Sequence, residues 1–161
     1  MGDTQKITTC LWFDTQAEAA ANFYCSVFKN SKFKEVVRYG DAGPGPKGEV
    51  MLVTFELDGR EFMGLNGGPI FKFTEAISLV VHCEDQAEID YFWEKLTADG
   101  GRESQCGWLK DKYGVSWQIV PTVLFKMLGD KDKKKVARVV QAYLPMKKFD
   151  IKTLEKAFNQ K

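Results

Sequence analysis

The stretch ITTCLWFDTQAEAAANFYCSVF at residues 7–28 has a counterpart, ISLVVHCEDQAEIDYFWEKL, at residues 77–96. Each begins with an apolar run, passes an acidic residue and then contains the tripeptide Gln-Ala-Glu. After it, apolar residues recur three and four positions apart, as on one face of an amphipathic helix. They are Ala20, Phe23, Tyr24, Val27 and Phe28 in the first copy, and Ile89, Phe92, Trp93 and Leu96 in the second. The sequence therefore predicts the same strand and helix twice.

The ends of both predicted helices carry ordinary capping residues. Asp14 or Thr15 can cap the start of the first helix, and Glu84 or Asp85 that of the second. Residues that adopt left-handed backbone then follow each helix, namely Asn30 in the first copy and the Gly100-Gly101 pair in the second.

Both copies return to β-structure after the helix. In the first copy we expect strands at about residues 33–39, 50–57 and 61–65, the last two joined by an Asp58-Gly59 hairpin turn. In the second copy we expect strands at about residues 103–109 and 115–120 around a turn at 111–114. The prediction is an α+β domain, residues 1–121, in which the sheets of two units (about 5–68 and 75–121) face one another.

The last part of the chain, residues 122–161, is predicted to form a helical extension. Its apolar residues recur at helical spacing in three segments, at about residues 123–128, 133–144 and 151–158, and the run KDKKK at 131–135 fits a solvated helix start. Because these helices offer more apolar surface than a tail should leave in water, we expect a homodimer.

Composition and charge exclude several classes of function. Lys and Arg total 23 against 22 Asp and Glu, so the net charge is +1 and we expect neither nucleic acid nor membrane as a partner. No apolar run resembles a signal peptide or a membrane span. The four cysteines, Cys10, Cys25, Cys83 and Cys106, have no metal-binding or redox spacing, so we expect reduced thiols in a cytoplasmic protein.

Six segments resemble a known family. They resemble the PhnB-like, demethylubiquinone methyltransferase-like branch of the vicinal oxygen chelate superfamily, which includes glyoxalase I, extradiol dioxygenases and bleomycin- and fosfomycin-resistance proteins. The resemblance implies a glyoxalase-like fold of duplicated βαβββ units. The segments are ITTCLWFD (7–14), AANFYCSVFKNS (20–31), RYGDAGPGPKG (38–48), LNGGPIFKFTEAIS (65–78), CGWLKDKYGVSWQIVP (106–121) and MKKFDIKTLEKAF (146–158).

The resemblance also implies where a metal would bind. Metal-dependent members take ligands from the first and last strands of each unit, and these positions hold Thr8 or Cys10, Met63, Ala76 or Ser78, and Gln118. Of these, we consider only Gln118 a plausible ligand, and one neutral amide cannot hold a divalent ion, so we predict no metal. The single histidine, His82, ends a predicted strand, where we expect a structural role; proton transfer and metal binding are the alternatives.

The glycine-rich segment GDAGPGPKG at residues 40–48 does not predict a cofactor site. Pro44 and Pro46 lack the amide donors that cradle a phosphate, and a strand follows rather than a helix. We therefore expect no S-adenosylmethionine and no other cofactor. A loop over a cavity is the favoured interpretation, and a plain linker is the alternative.

Aromatic and polar residues of the strands and adjoining loops indicate a mainly apolar binding site with a few polar groups. Most of the aromatic residues could equally belong to the core. We predict a protein that binds a small, flat or hydrophobic molecule. The alternative is an enzyme in which Gln118, Asn66 or Cys10 polarises an unknown substrate. The predicted ligand-binding residues are Cys10, Trp12, Met63, Asn66, Ser78, Trp108, Trp117 and Gln118.

Overall fold

The computed structural model describes residues 5–160 and divides into two compact units, Met1–Phe73 and Thr74–Lys161. Each unit contains a four-stranded sheet built in the same order along the chain: strand, helix, then three strands. In both sheets the first strand of the unit pairs in parallel with the last, and the other neighbours are antiparallel. The predicted α+β fold with a duplicated βαβββ unit is confirmed.

The first unit has the strand order β1-β4-β3-β2. Its helix covers one face of this sheet, because alternate residues such as Leu11, Phe13, Val53 and Phe55 are buried beneath it while their neighbours are not. The elements are β1 (Thr9–Phe13), α1 (Ala17–Val27), β2 (Lys32–Arg38), β3 (Val50–Leu57) and β4 (Arg60–Asn66).

Aromatic side chains fill the space between α1 and the sheet. Tyr24 is fully buried, with its ring centroid 6.1 Å from that of Phe55, which stacks in turn on Phe62 at 5.6 Å. The predicted Asp58-Gly59 hairpin turn is confirmed, with φ values of 46° and 74° at its two central residues. The local sequence therefore sets the register of β3 and β4.

The second unit has the strand order β5-β8-β7-β6. Asp85 caps its helix as predicted, since the carboxylate accepts a hydrogen bond of 2.9 Å from the Glu88 amide. A single 3-10 turn (Ala98–Gly100) follows that helix. The elements are β5 (Leu79–Cys83), α2 (Gln86–Thr97), β6 (Arg102–Glu103), β7 (Trp108–Lys110) and β8 (Ser116–Pro121).

The single strand predicted at residues 103–109 is wrong. It is two short strands, β6 and β7, separated by a loop in which Cys106 and Gly107 have left-handed backbone, with φ of 55° and 80°. The amides of these two residues donate to the carbonyl oxygens of Met146 and Lys147, at 2.7 Å each. The loop thus bonds to a segment 40 positions later, which local patterning could not reveal.

The helical extension is confirmed as three helices, and they belong to the second unit. Val139 and Leu154 are fully buried, and the side chain of Gln86 on α2 bonds the backbone of Phe149 (3.0 Å) and Ile151 (2.9 Å). The apolar residues on which the dimer prediction depends are therefore largely used inside this unit. The helices are α3 (Thr122–Leu128), α4 (Lys133–Tyr143) and α5 (Ile151–Asn159).

No helix within residues 5–160 is long and apolar enough to cross a membrane.

Candidate functional site

Three of the four predicted residues of the first unit, Cys10, Trp12 and Met63, lie on the face of its sheet opposite α1. In the strand register Cys10 lies beside Met63, and Met63 beside Thr54, while Trp12 lies beside Leu65. None of these side chains is buried, whereas the residues that alternate with them along the strands include the buried Leu11, Phe13, Val53, Phe55, Phe62 and Gly64. The predicted alternation of β1 is therefore confirmed, and Cys10, Trp12 and Met63 share one face.

Trp12 is held firmly on this face. Its indole Nε1 donates a hydrogen bond of 2.9 Å to the carbonyl oxygen of Gly68, and its ring meets that of Phe71 edge-on with centroids 4.9 Å apart. Because the Trp12 indole is fixed and only half-buried, it provides a flat surface on which a ligand ring can stack.

Cys10 carries a thiol, which in its ionised form is a nucleophile and a metal ligand. The residue as a whole is exposed, yet partial burial raises the pKa of its thiol above the ordinary value of 9.0. At neutral pH the group is therefore a protonated thiol, which is a weak nucleophile and a weak metal ligand.

Asn66 was predicted as a polar group for the ligand, but its amide is already used by the protein. Its Oδ1 accepts from the backbone amide of Ala17 at 2.9 Å, and its Nδ2 donates to the carbonyl oxygens of Thr15 (3.2 Å) and Val50 (3.0 Å). Neither Asp14 nor Thr15, the predicted caps, bonds the first turn of α1. Asn66 fills that role from the end of β4 and is a structural residue.

In the second unit, a polar pair lies on the face of the sheet opposite α2. The side-chain Nε2 of Gln118 donates to Ser78 Oγ at 2.8 Å, and Gln118 lies between Val80 and Trp108 in the strand register. Within residues 5–160 no group donates to the Gln118 side-chain oxygen. The Gln118 side-chain oxygen is therefore available to accept a hydrogen bond from a ligand. The Ser78 hydroxyl is available to donate one, and both lie next to the Trp108 indole.

Ser116 is a polar residue of this same face that was not among the predicted ligand-binding residues. It is only 1% exposed, and its hydroxyl has no hydrogen-bond partner among the residues that the structure describes. A buried hydroxyl without a partner costs about 1–3 kcal/mol. Ser116 lies two residues before Gln118 on β8, so the strand alternation predicted its place on this face. Its burial, by contrast, depends on tertiary packing.

Trp117 does not join this group, although it was predicted to. It lies on the other face of β8, 2% exposed, and its indole Nε1 donates to Asp111 Oδ2 at 2.8 Å. The Asp111 carboxylate also accepts from the amides of Tyr113 and Val115, which closes the β7–β8 turn. Trp117 is thus a core residue, which was the alternative left open for the aromatic residues.

His82 lies exposed near the end of β5, and its ring centroid is 5.5 Å from that of Phe125 on α3. This contact supports the structural role expected for it.

The side chains at the implied ligand positions do not fit a divalent metal. Met63 is a thioether and Gln118 a neutral amide bonded to Ser78, so the Cys10 thiol is the one group among them that divalent metals commonly bind, and one ligand does not hold an ion. Within residues 5–160 no three His, Cys, Asp or Glu side chains are grouped so that they could hold an ion.

A cavity of about 860 Å³ lies in the first unit, beside the glycine-rich loop. The loop folds onto Tyr39, whose ring lies against Gly43 and Gly45 and whose hydroxyl donates to the Asn66 carbonyl oxygen at 3.1 Å. The interpretation of this segment as a loop over a cavity agrees with the structure. Most of the lining was not predicted: Asp14, Thr15, Glu18, Ala19, Asn22, Arg38, Tyr39, Pro44, Gly45, Pro46, Glu49, Val50, Gly67 and Gly68 line it beside Asn66.

Comparison with solved structures gives the same fold. A PhnB protein from Bacillus cereus, described as a putative 3-demethylubiquinone-9 3-methyltransferase, is 44% identical over 73% of this chain and 100% of its own, with a TM-score of 0.67. Protein PA1353 from Pseudomonas aeruginosa is 18% identical over 73% of this chain and 98% of its own (TM-score 0.60). The fosfomycin resistance protein FosX from Listeria monocytogenes is 14% identical over 81% and 100% (TM-score 0.56). At these low identities the last two show the fold alone.

None of the curated proteins compared with the chain matches it. The family model described as 3-demethylubiquinone-9 3-methyltransferase matches residues 5–120, which is most of the chain and both βαβββ units. The resemblance in the sequence segments is thereby confirmed, and the chain belongs to the 3-demethylubiquinone-9 3-methyltransferase, or PhnB-like, family.

Proposed function

We propose that this protein binds a small, flat, mainly apolar molecule, and that it needs no metal to do so. The observation that carries the proposal is the Gln118–Ser78 pair, 2.8 Å apart, beside Trp108 on the face opposite α2. An indole next to a few polar groups with unused hydrogen-bonding capacity is typical of small-molecule sites.

The polar groups of this face specify what the ligand must offer. The Gln118 side-chain oxygen needs a donor, such as a hydroxyl or an N–H, because only its Nε2 is bonded to Ser78. A ring substituted with a hydroxyl or an N–H would satisfy the Gln118 oxygen while stacking on Trp108. Cys10, Trp12 and Met63 form a separate, mainly apolar surface within the first unit.

Binding is favoured over catalysis by the state of two residues. Of the three residues considered for polarising a substrate in the enzymatic alternative, Asn66 has its amide fully bonded to the backbone. Burial holds Cys10 as a neutral thiol. Gln118 remains, and a neutral amide can orient a substrate but cannot exchange protons with it.

The family name describes a methyltransferase, but we do not extend S-adenosylmethionine binding to this chain. The glycine-rich loop is folded against Tyr39, and the Gly48 amide is spent on the Tyr39 carbonyl oxygen at 2.9 Å. Pro44 and Pro46 have no amide hydrogen to give. Calorimetry with about millimolar S-adenosylmethionine should show no saturable heat, and micromolar affinity would contradict this view.

We further propose a cytoplasmic homodimer. Exposed apolar side chains support the dimer. Ile70 and Phe71 of the first unit are 76% and 62% exposed, and Ile77 of the second unit is 77% exposed. Support for the location is that the four cysteines are free thiols. Light scattering should give about twice the 18.3 kDa of the chain, and a monomer at about 100 micromolar would contradict the dimer.

Native mass spectrometry of freshly purified protein tests the binding proposal. We expect an organic molecule of roughly drug size to travel with the chain, and Gln118→Leu to lose it because the leucine keeps the volume without the amide. Gln105→Leu, at an exposed glutamine of the same unit, is the matched control and should retain it. If the Gln118→Leu variant retained the molecule, the ligand would bind at a different site and the proposal would be wrong.

A further inference from the structure

The charge of the chain is divided between its main part and its extension. Residues 122–161 contain eleven Lys and Arg against four Asp and Glu, whereas residues 1–121 contain twelve against eighteen. The extension therefore carries a net charge of +7 and the rest of the chain −6. The whole-chain value of +1, from which we expected no nucleic-acid partner, hides this division. Asymmetry of this kind is typical of chains that bind polyanions.

Most cations of the extension have no acidic partner. Lys147 and Lys148 pair with Glu103 and Asp90, at 3.3 and 2.6 Å. Within residues 5–160, no carboxylate oxygen lies within 4.0 Å of the remaining basic groups of the extension, which are Lys126, Lys131, Lys133, Lys134, Lys135, Arg138, Lys152 and Lys156.

Three of the four acidic residues of the extension are turned toward backbone amides instead. Asp130 accepts from the Asp132 amide at 2.7 Å, Asp132 from the Lys134 amide at 2.9 Å, and Asp150 from the Thr153 amide at 2.7 Å. Asp132 and Asp150 thereby cap α4 and α5. The bond from the Lys134 amide lowers the pKa of Asp132, and bonds from the Thr153 side chain and amide lower the pKa of Asp150. Asp132 still interacts electrostatically with Lys135 and Arg138, and Asp150 with Lys152, but four acidic residues offset only part of the charge of eleven basic ones.

A groove of about 410 Å³ between α4 and α5 is lined by two of these cations, Arg138 and Lys156. Arg138 fixes the two helices to each other, because its Nε donates to the Ala157 carbonyl oxygen at 3.0 Å and its Nη2 to that of Phe158 at 3.3 Å. Among residues 5–160, no Asp or Glu side chain lines the groove. Its lining consists of Arg138, Gln141, Ala142, Thr153, Lys156, Ala157 and Gln160.

We propose that the α4–α5 groove, together with the lysines at the start of α4, binds the phosphate backbone of nucleic acid without reading base sequence. Guanidinium, ammonium and amide groups are the side chains that contact phosphate oxygens. An anionic membrane fits less well, because the exposed residues of α4 and α5 include no large apolar side chain; Leu144, just past α4, is the nearest. The extension lies outside the family match at residues 5–120, so this activity is separate from the proposed ligand site.

Fluorescence anisotropy of a labelled DNA duplex, titrated with the full chain over a range of salt concentrations, tests the proposal. We expect micromolar binding at about 50 mM salt, with a slope of log K against log salt of about −3 to −5. The triple variant Lys131→Gln, Lys133→Gln, Lys134→Gln should bind about tenfold more weakly at about 100 mM salt and have a shallower slope. It should fold normally, because cations at the start of α4 oppose the helix dipole.

The matched control neutralises three exposed lysines of the first unit, Lys6→Gln, Lys29→Gln, Lys72→Gln, and changes the total charge equally. It should bind within about twofold of the natural protein. The double variant Lys152→Gln, Lys156→Gln changes the other helix of the groove and should also weaken binding. The proposal is overturned by equal losses in both triple variants, by no binding at low salt, or by tighter binding to phosphatidylserine vesicles than to the duplex.

Discussion

Asn66 Oδ1 accepts a hydrogen bond of 2.9 Å from the backbone amide of Ala17, so a residue at the end of β4 caps a helix that begins 49 positions earlier. The same amide group reaches Thr15 and Val50 through its nitrogen. One side chain therefore ties together β4, the start of α1 and the start of β3, at the edge of the cavity beside the glycine-rich loop.

Replacing Asn66 by Ala should destabilise the first unit by about 2–4 kcal/mol, because the carbonyl oxygens of Thr15 and Val50 and the amide of Ala17 each lose a hydrogen-bond partner. Urea denaturation measures this change. The control is Asn22→Ala, which removes one exposed bond to the Glu18 carbonyl oxygen and should cost less than about 1 kcal/mol. Equal effects of the two variants would show that Asn66 is not the clamp described here.

Asp111→Ala should be among the most damaging substitutions in the second unit. It leaves the Trp117 indole and two backbone amides without an acceptor in a region where Asp111 is only 3% exposed, so we expect a loss of about 3 kcal/mol or more. Asp111→Asn, which keeps one oxygen, should lose less. Asp41→Ala removes only a surface ion pair with Lys47 and should change the free energy of unfolding by less than about 1 kcal/mol. A similar cost for Asp41→Ala and Asp111→Ala would contradict this account.

Gly107→Ala should loosen the attachment of the extension. The backbone at this position has φ of 80°, and a Cβ would meet the Phe149 ring and lie 2.8 Å from the Ile119 carbonyl oxygen. We expect a loss of about 2–4 kcal/mol in thermal or urea unfolding. Gly40→Ala meets no atom within 4 Å and is the matched control. Deletion of residues 146–161 should have a larger effect in the same direction, and tolerance of both changes would mean that the extension is not part of the core.

The stability of the second unit should fall as the pH rises above 9. Burial, and after it the carboxylates of Glu88, Asp85 and Glu84, raises the pKa of the Cys83 thiol to about 12. Between pH 9.0 and about 12 the unfolded chain loses this proton while the folded chain keeps it, so folding becomes less favourable with each step in pH. Cys83→Ala should remove this contribution. The measurement is the difference in unfolding free energy between the two proteins at about pH 8 and pH 10, and a constant difference would contradict the prediction.

Elemental analysis of dialysed protein should find well under one transition metal per chain. The reason is the chemistry of the donors, since Met63 is a thioether, Gln118 is a neutral amide bonded to Ser78, and the single Cys10 thiol is too few ligands for an ion. Stoichiometric zinc, nickel or iron that survives a chelator wash would overturn the prediction.

The sequence by itself determined the elements and their duplication. The spacing of Tyr24 and Val27, the Asp58-Gly59 turn and the Asp85 cap are interactions between residues close in the chain, and each has the structure that its pattern predicts. The alternation of β1 likewise fixed which residues share a face with Cys10. Such features need only backbone sterics and the periodic burial of apolar side chains.

Tertiary structure decided how the polar groups and the aromatic rings are used. Asn66 and Trp117 were predicted to bind a ligand, but one caps a distant helix and the other donates to Asp111 in the core. The break between β6 and β7 depends on Phe149 and its neighbours, which arrive from the far end of the chain. A sequence shows that an amide or an indole is present, but which partner satisfies it depends on contacts between residues far apart in the chain, and these form only when the chain has folded.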